Sequence, residues 1–130
     1  MKGLTVGQHA TLTRTFAAED AAAYRSLSGD QGLFGPDPTA VPGPLLAGLF
    51  SCLLGTQLPG RGTNWLKQSL TFPHPAHLDE PITATVTITR LRPDKNLVNL
   101  QTTCTSQGEI VCTGEALVFV QDLEGSSEQQ

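Results

Sequence analysis

The longest apolar stretch of the chain runs from Pro42 to Gly60. No residue between positions 45 and 54 is charged, and the only polar side chain in that interval is Ser51. A helix that is apolar on every side needs protein on every side. The pattern therefore predicts a buried central helix around which the other elements are arranged, and the stretch is too short to span a bilayer.

Residues with special backbone preferences flank this stretch. Gly43 and Pro44 fit an N-cap and a first helical position, because the missing N–H of proline would be unpaired there in any case. Gly55 fits a left-handed residue at the C-terminal end, and Pro59-Gly60 prevents any continuation.

Alternation of apolar and polar residues dominates the remainder of the chain and predicts strands. Arg14 interrupts one face of the first strand, which favours an edge position. Gln107-Gly108 is typical of a tight hairpin turn. The predicted strands are Ala10–Phe16, Thr63–Phe72, Ile82–Thr89, Leu97–Thr105 and Glu109–Val120, with a short helix at Ala17–Leu27 and a turn at Arg92–Asn96.

This order of elements predicts an α+β fold in which one antiparallel sheet, its last four strands joined by short turns, wraps around the central helix. Five strands cannot cover a helix that is apolar on every side, so a second copy of the chain is the expected cover. We expect one domain over residues 1–121. The polar tail, 122–130, is expected to be disordered.

Composition excludes several classes of partner. The net charge is −4, only 15 % of residues are charged, and the eight Lys and Arg are scattered. This distribution argues against binding to nucleic acid or to an anionic membrane surface. The N-terminus lacks the apolar stretch of a secretory signal, and three cysteines without a Cys-x-x-Cys pair are typical of buried, reduced thiols in a cytoplasmic protein.

Two further site types are disfavoured. His74 and His77 lie at the end of a predicted strand with only Asp79 and Glu80 nearby, which favours a solvated strand end over a metal site. The glycines after the central helix do not lie between a strand and a helix, as a phosphate-binding loop requires. We therefore expect no cofactor and no metal.

A further set of sequence motifs lies between about Thr5 and Val120. They are Ser28-Gly29-Asp30, Asp37-Pro38, Gly43-x-Leu45-Leu46-Ala47-x-Leu49-Phe50-Ser51-x-Leu53-Leu54-Gly55, Leu58-Pro59-Gly60-x-Gly62 and Gln68-Ser69-Leu70-x-Phe72. The chain thereby resembles the MaoC-like, (R)-specific enoyl-CoA hydratase family of fatty acid metabolism. The resemblance implies a hot-dog fold, a homodimer, and an acyl thioester of coenzyme A or of an acyl carrier protein as substrate.

Members of this family add water to a trans-2-enoyl thioester to give the (R)-3-hydroxyacyl product, or catalyse the reverse dehydration. A carboxylate and an imidazole activate the water, and a backbone N–H stabilises the charge on the thioester oxygen. By resemblance, Asp30 matches the aspartate, Gly43 the glycine that provides the N–H, and Ser51 a serine that assists. Three residues of the matching motifs are predicted to contact the substrate: Leu46, Phe50 and Gln68.

The catalytic motif itself departs from the family pattern, Asp-x-Asn-Pro-x-His. Gly32, Leu33 and Gly35 stand where the asparagine, the proline and the catalytic histidine are expected. Pro42 and Pro44 replace the residues that flank the glycine, and the loop 38–43 is shorter than in the family. Loss of a general acid or base typically reduces the rate about 10²–10⁴-fold, so the resemblance predicts weak activity or dependence on a second acid.

Three functions remain open on the sequence. The first is a hydratase or dehydratase with Asp30 as base, in which His9, His74 or His77 could replace the missing imidazole. The second is a catalytically silent subunit that binds acyl thioesters or has a structural role. The third is a thioesterase in which Asp30 directs water at the carbonyl carbon, because one fold can host several reactions.

Overall fold

The computed structural model describes residues 4–28, 39–60 and 62–120, with the backbone alone described for 25–28. Its strands are β1 (His9–Arg14), β2 (Thr63–Thr71), β3 (Ile82–Arg92), β4 (Leu97–Ser106) and β5 (Glu109–Val120). Its helices are α1 (Ala18–Ser28) and α2 (Gly43–Thr56), with one 3₁₀ turn at Pro93–Lys95. All five predicted strands and both predicted helices are confirmed. The predicted tail, 122–130, lies outside the described residues.

The five strands form one antiparallel sheet in the order β1-β3-β4-β5-β2. β1 lies at one edge, as the interruption by Arg14 predicts. Short turns join β3 to β4 and β4 to β5, and Gln107 and Gly108 form the second turn with φ of 53° and 78°. The expectation of four consecutively joined strands was wrong for β2, which pairs with β5 at the far edge. Residues 72–81 carry the chain across the sheet, where the backbone of His77 bridges to Ala40.

The inner face of the sheet follows the predicted alternation. Ile82, Ala84, Val86 and Ile88 on β3 are buried, and the threonines between them are only partly buried. On β4 the inner residues are Val98, Leu100, Thr102 and Cys104, all fully buried. Because side chains alternate across a strand, the sheet has one apolar face and one face rich in threonine.

α2 packs on this inner face with the side chains of Leu46, Leu49, Phe50, Leu53 and Leu54, all at most 3 % exposed. Its opposite face is exposed at Pro44, Gly48, Ser51, Cys52 and Gly55. That one chain leaves this face open agrees with the expectation that five strands cannot cover the helix, whereas the prediction that all three thiols are buried is wrong for Cys52. One sheet covers only the stripe that faces it, and the exposed positions have the spacing of the opposite stripe.

Both ends of α2 differ slightly from the prediction. Pro42 is the N-cap, so Gly43 is already helical and Pro44 occupies the second position. Gly55 lies within the helix, because the Thr56 hydroxyl donates to the Cys52 carbonyl at 2.6 Å and the Gln57 N–H to the Leu53 carbonyl at 2.9 Å. The left-handed residue is Gly60, with φ of 96°.

Candidate active site

The N-terminus of α2 carries one backbone donor without a partner among the described residues, the Gly43 N–H. Pro44 has no N–H, and the Leu45 N–H donates to the Pro42 carbonyl at 3.0 Å. No side chain caps this end, and the first turn contains no acidic residue. The partial positive charge of the helix N-terminus is therefore not neutralised from within the helix, and this N–H is suited to hold a developing oxyanion.

The Phe72 ring leaves little room for a side chain at position 43. A Cβ atom there would lie 3.1 Å from Cζ and 3.2 Å from Cε1 of the Phe72 ring. Such contacts are tighter than ordinary van der Waals contact, so a side chain would displace the ring or the first turn of α2. The aromatic ring thus packs directly against the backbone that presents the N–H.

Ser51 lies on the exposed face of α2, eight residues after Gly43. At 1.5 Å per residue the two are about 12 Å apart along the helix axis. No hydrogen bond joins the Ser51 hydroxyl to any other described residue. Within one chain, Gly43 and Ser51 can therefore contact only different parts of an elongated ligand.

The three residues predicted to contact substrate lie in different surroundings. Leu46 and Phe50 belong to the core, with 2 % and 0 % of their surface exposed. Gln68 on β2 is partly buried, and its Nε2 donates to the Ser69 carbonyl at 2.9 Å, the Glu115 carbonyl at 3.0 Å and the Thr102 hydroxyl at 3.2 Å. Its Oε1 is buried without a partner in the described part of the chain. Contact of these three residues with substrate stays a prediction.

Asp30 and the departures at Gly32, Leu33 and Gly35 lie outside the described residues. The histidines proposed as replacements for the imidazole are described, and two of them lie beside carboxylates. His74 Nδ1 is 3.2 Å from Glu109 Oε2, and His77 Nδ1 is 3.8 Å from Glu80 Oε1, both at exposed positions. His9 is exposed at the start of β1. Over residues 4–28, 39–60 and 62–120, no three potential metal ligands form a cluster.

A groove of about 370 Å³ lies between β1 and the exposed face of α2. It begins at Pro44, next to Gly43, and Arg14 contributes the one charged side chain of its lining among the described residues. Its walls are otherwise apolar or small: Leu12, Phe16, Pro44, Leu45, Gly48, Leu49 and Cys52. A cleft of this size and polarity is suited to an aliphatic chain.

Sequence analysis did not identify this groove. The α2 positions in it, 44, 45, 48, 49 and 52, are separated by steps of one, three and four residues. That spacing marks one face of a helix and was available as a signal. It was obscured because the whole stretch is apolar, so hydropathy alone did not separate this face from the buried one.

Comparisons with known proteins agree with this fold. No protein-family model matches the chain. The chain is 42 % identical over 128 residues to an (R)-specific enoyl-CoA hydratase from Aeromonas caviae, a match that covers 90 % of this chain and 96 % of the relative. It is 38 % identical over 129 residues to an (R)-specific enoyl-CoA hydratase from Rhodospirillum rubrum, which covers 88 % of this chain and 86 % of the relative.

The backbone of a solved structure is similar to that of this chain. The (R)-hydratase from A. caviae involved in PHA biosynthesis superimposes with a TM-score of 0.82 and 40 % identity, and the match covers 92 % of this chain and 99 % of that one. None of the helices among the described residues is long and apolar enough to cross a membrane. The predicted resemblance and hot-dog fold are confirmed, and the chain belongs to the (R)-specific enoyl-CoA hydratase family.

Proposed function

We propose that this protein is a hydratase/dehydratase that interconverts trans-2-enoyl and (R)-3-hydroxyacyl thioesters of coenzyme A or of an acyl carrier protein. The observation that carries the proposal is the Gly43 N–H, which has no partner among the described residues and lies at the N-terminus of α2 within a chain of this family. When water adds to C3 of an enoyl thioester, negative charge accumulates on the thioester oxygen. A fixed N–H donor stabilises that charge more in the transition state than in the ground state.

The groove beside α2 can accommodate the acyl chain of the substrate. With the thioester oxygen at the Gly43 N–H, the adjoining aliphatic part can lie along Leu45 and Gly48 against Leu12 of β1. These surfaces exclude water from the chain without making polar contacts that would have to be broken. Arg14, at 52 % side-chain exposure, lies 3.6 Å from Asp20 Oδ1, so an anionic group of the carrier would share its guanidinium with that carboxylate.

Asp30 is the proposed base in this mechanism. Its carboxylate would take a proton from the attacking water, and an acid would deliver a proton to C2. Gly35 cannot provide the acid because glycine has no side chain. The proposal therefore predicts either a low turnover or a second residue that acts as the acid. Ser51 is a further polar group within reach of the ligand.

The test is a turnover assay with the intact chain. A short trans-2-enoyl-CoA is mixed with the purified protein, and loss of the conjugated thioester absorbance is followed. Asp30→Asn is expected to reduce turnover about 10²–10⁴-fold, because the amide cannot accept the proton. The matched control is Asp94→Asn, which makes the same change at an exposed aspartate in the 3₁₀ turn.

Each other outcome identifies a different function. Equal turnover of Asp30→Asn and the parent chain would contradict the role of Asp30. No turnover with retained binding of the enoyl thioester would favour a silent binding subunit, which the loss of the histidine at position 35 also suggests. Release of free coenzyme A thiol would indicate a thioesterase.

We further infer a homodimer. β2 pairs on one side with β5 and forms an edge of the described sheet. Trp65 and Leu66 on that edge are 38 % and 56 % exposed, and the register of the β2–β5 ladder shifts between Trp65 and Lys67. Exposed apolar edge strands favour pairing with another chain. Light scattering is expected to give twice the chain mass, and a monomeric mass would contradict the inference.

A cytoplasmic location also belongs to this proposal. Its support is that all three cysteines are free thiols, which is typical of proteins kept in a reducing compartment. Fractionation of cells that produce the native protein would test it, and recovery outside the cytoplasm would contradict it.

A further inference from the structure

Two of the three cysteines lie directly opposite each other in the sheet. Cys104 on β4 and Cys112 on β5 are register partners. Both are free thiols with 0 % of their surface exposed, and both belong to the hydrophobic core. Since partners in an antiparallel pair project from the same face, the two side chains are neighbours across the ladder.

The spacing of such partners suits a disulfide. Directly opposed residues of antiparallel strands have Cα atoms roughly 4.5–5.5 Å apart. Disulfides join residues whose Cα atoms are roughly 4.4–6.8 Å apart. The two strands therefore hold Cys104 and Cys112 at a Cα separation within the range that disulfides join.

Burial keeps the pair reduced while the sheet is closed. It raises the pKa of the Cys104 thiol to about 12, with the neighbouring Cys112 as a smaller cause, and the pKa of Cys112 to about 11. The thiolate is the reactive form, so at neutral pH both groups are protonated as well as shielded. Neither sulfur is used by the proposed hydratase mechanism.

The pair lies near the hairpin end of its ladder. β4 ends at Ser106, two residues after Cys104, and the register of the β4–β5 pair shifts between Cys104 and Thr105. Strand ends next to turns open locally at lower free energy than sheet centres. An opening confined to this hairpin end would expose both thiols together while the remainder of the sheet stays paired.

We propose that Cys104 and Cys112 form a redox site that is oxidised to an intramolecular disulfide by a low-molecular-weight disulfide when the β4–β5 hairpin end opens. One cysteine thiolate attacks the oxidant disulfide, forms a mixed disulfide and releases one small thiol. The second thiolate then attacks the protein sulfur of that mixed disulfide and releases the second small thiol. Two thiol protons leave with the two small thiols, and the bond fixes β4 to β5.

The experiment uses the folded full-length chain with Cys52→Ser, because Cys52 is exposed and would react without any opening. The protein is incubated with oxidised glutathione, freed of reagent, denatured, and its free thiols are counted. We expect the count to fall from two to none per chain. Glu109 is the one Glu between the two cysteines, so cleavage after Glu yields two peptides that stay joined only by the disulfide.

Two controls make the result specific. Cys112→Ala in the same background removes one partner, and no joined peptides are expected after the same treatment. The reaction in water is also compared with the reaction in urea at a concentration that unfolds the protein. Joined peptides that form only in unfolding urea would overturn the proposal. Two remaining thiols, or stable mixed disulfides with glutathione on both cysteines, would overturn it as well.

Discussion

Phe50 and Leu53 on one face of α2 are fully buried, whereas Gly48, Ser51 and Cys52 on the other face are exposed. Both faces lack charge, so hydropathy does not separate them. Side-chain size does: the buried face carries leucines and a phenylalanine, and the open face carries proline, glycine, serine and cysteine. Large side chains fill the space up to the sheet, and small ones leave the groove beside β1 open to a ligand.

The comparison shows why an uncharged helix need not be a wholly buried one. In a long apolar stretch, hydropathy and side-chain size are separate signals. The positions of the large side chains, at helical spacing, indicate which face packs inside. In this chain the open face is continuous with Gly43 through Pro44. The donor at the helix N-terminus and the apolar surface for a chain therefore belong to one element.

The largest expected effect follows from the buried face. Phe50→Ala removes the ring of a side chain that is 0 % exposed. Truncation of a buried phenylalanine typically lowers the free energy of unfolding by about 3–5 kcal/mol. Urea denaturation at equilibrium measures this loss as a shift of the midpoint.

Ser51→Ala is the matched change at the residue after Phe50, which lies on the exposed face of α2. It is expected to change the free energy of unfolding by less than about 0.5 kcal/mol, because the hydroxyl makes no hydrogen bond to a described residue. A loss at Ser51 as large as that at Phe50 would show that the open face is part of the core, and the comparison between the two faces would fail.

A smaller effect concerns the two buried thiols of the sheet, Cys104 and Cys112. In the unfolded chain Cys104 and Cys112 ionise near their ordinary pKa of 9.0, but in the folded chain their pKa values are raised to about 12 and about 11. Below pH 9 both states are protonated and the stability is unaffected. Between pH 9 and 11 only the unfolded state loses protons, so stability falls by about 1.4 kcal/mol per pH unit for each thiol.

The slope of the unfolding free energy against pH measures this effect without reference to absolute stability. Cys112→Ala is expected to remove about half of the cysteine contribution to the slope between pH 9 and 10. Equal slopes for Cys112→Ala and the parent chain would contradict the burial of that thiol as the cause.

Most of the fold could be predicted because its signals are local. Alternation gave β3, β4 and β5 with their inner residues, and Gln107-Gly108 gave the tight turn, since both patterns follow from the geometry of a single strand or turn. The position of β2 could not be predicted in this way. Its pairing with β5 depends on contacts between residues far apart in the chain, which no local pattern encodes.

The candidate site was predicted less completely. Gly43 was identified through the spacing of a family motif, and the structure adds two physical features: an N–H without a partner among the described residues, and the close contact with Phe72. The groove was missed because its lining comes from β1 and α2, which only the folded chain brings together. Asp30 lies outside the described residues, so its role continues to depend on the motif and on the turnover assay.

The smallest predicted effect tests the groove directly with two glycines of α2. Gly48 lies in the groove and Gly55 does not; both are exposed, and a Cβ atom at either would meet nothing within 4 Å. Leucine at either position changes the stability by less than about 1 kcal/mol through helix propensity, so neither variant is expected to unfold the protein. Gly48→Leu fills the groove and is expected to raise the KM for a medium-chain enoyl-CoA by about tenfold, with Gly55→Leu close to the parent chain. Equal KM values for both variants would place the acyl chain elsewhere, and the open face of α2 would then be left as a surface for a second copy of the chain.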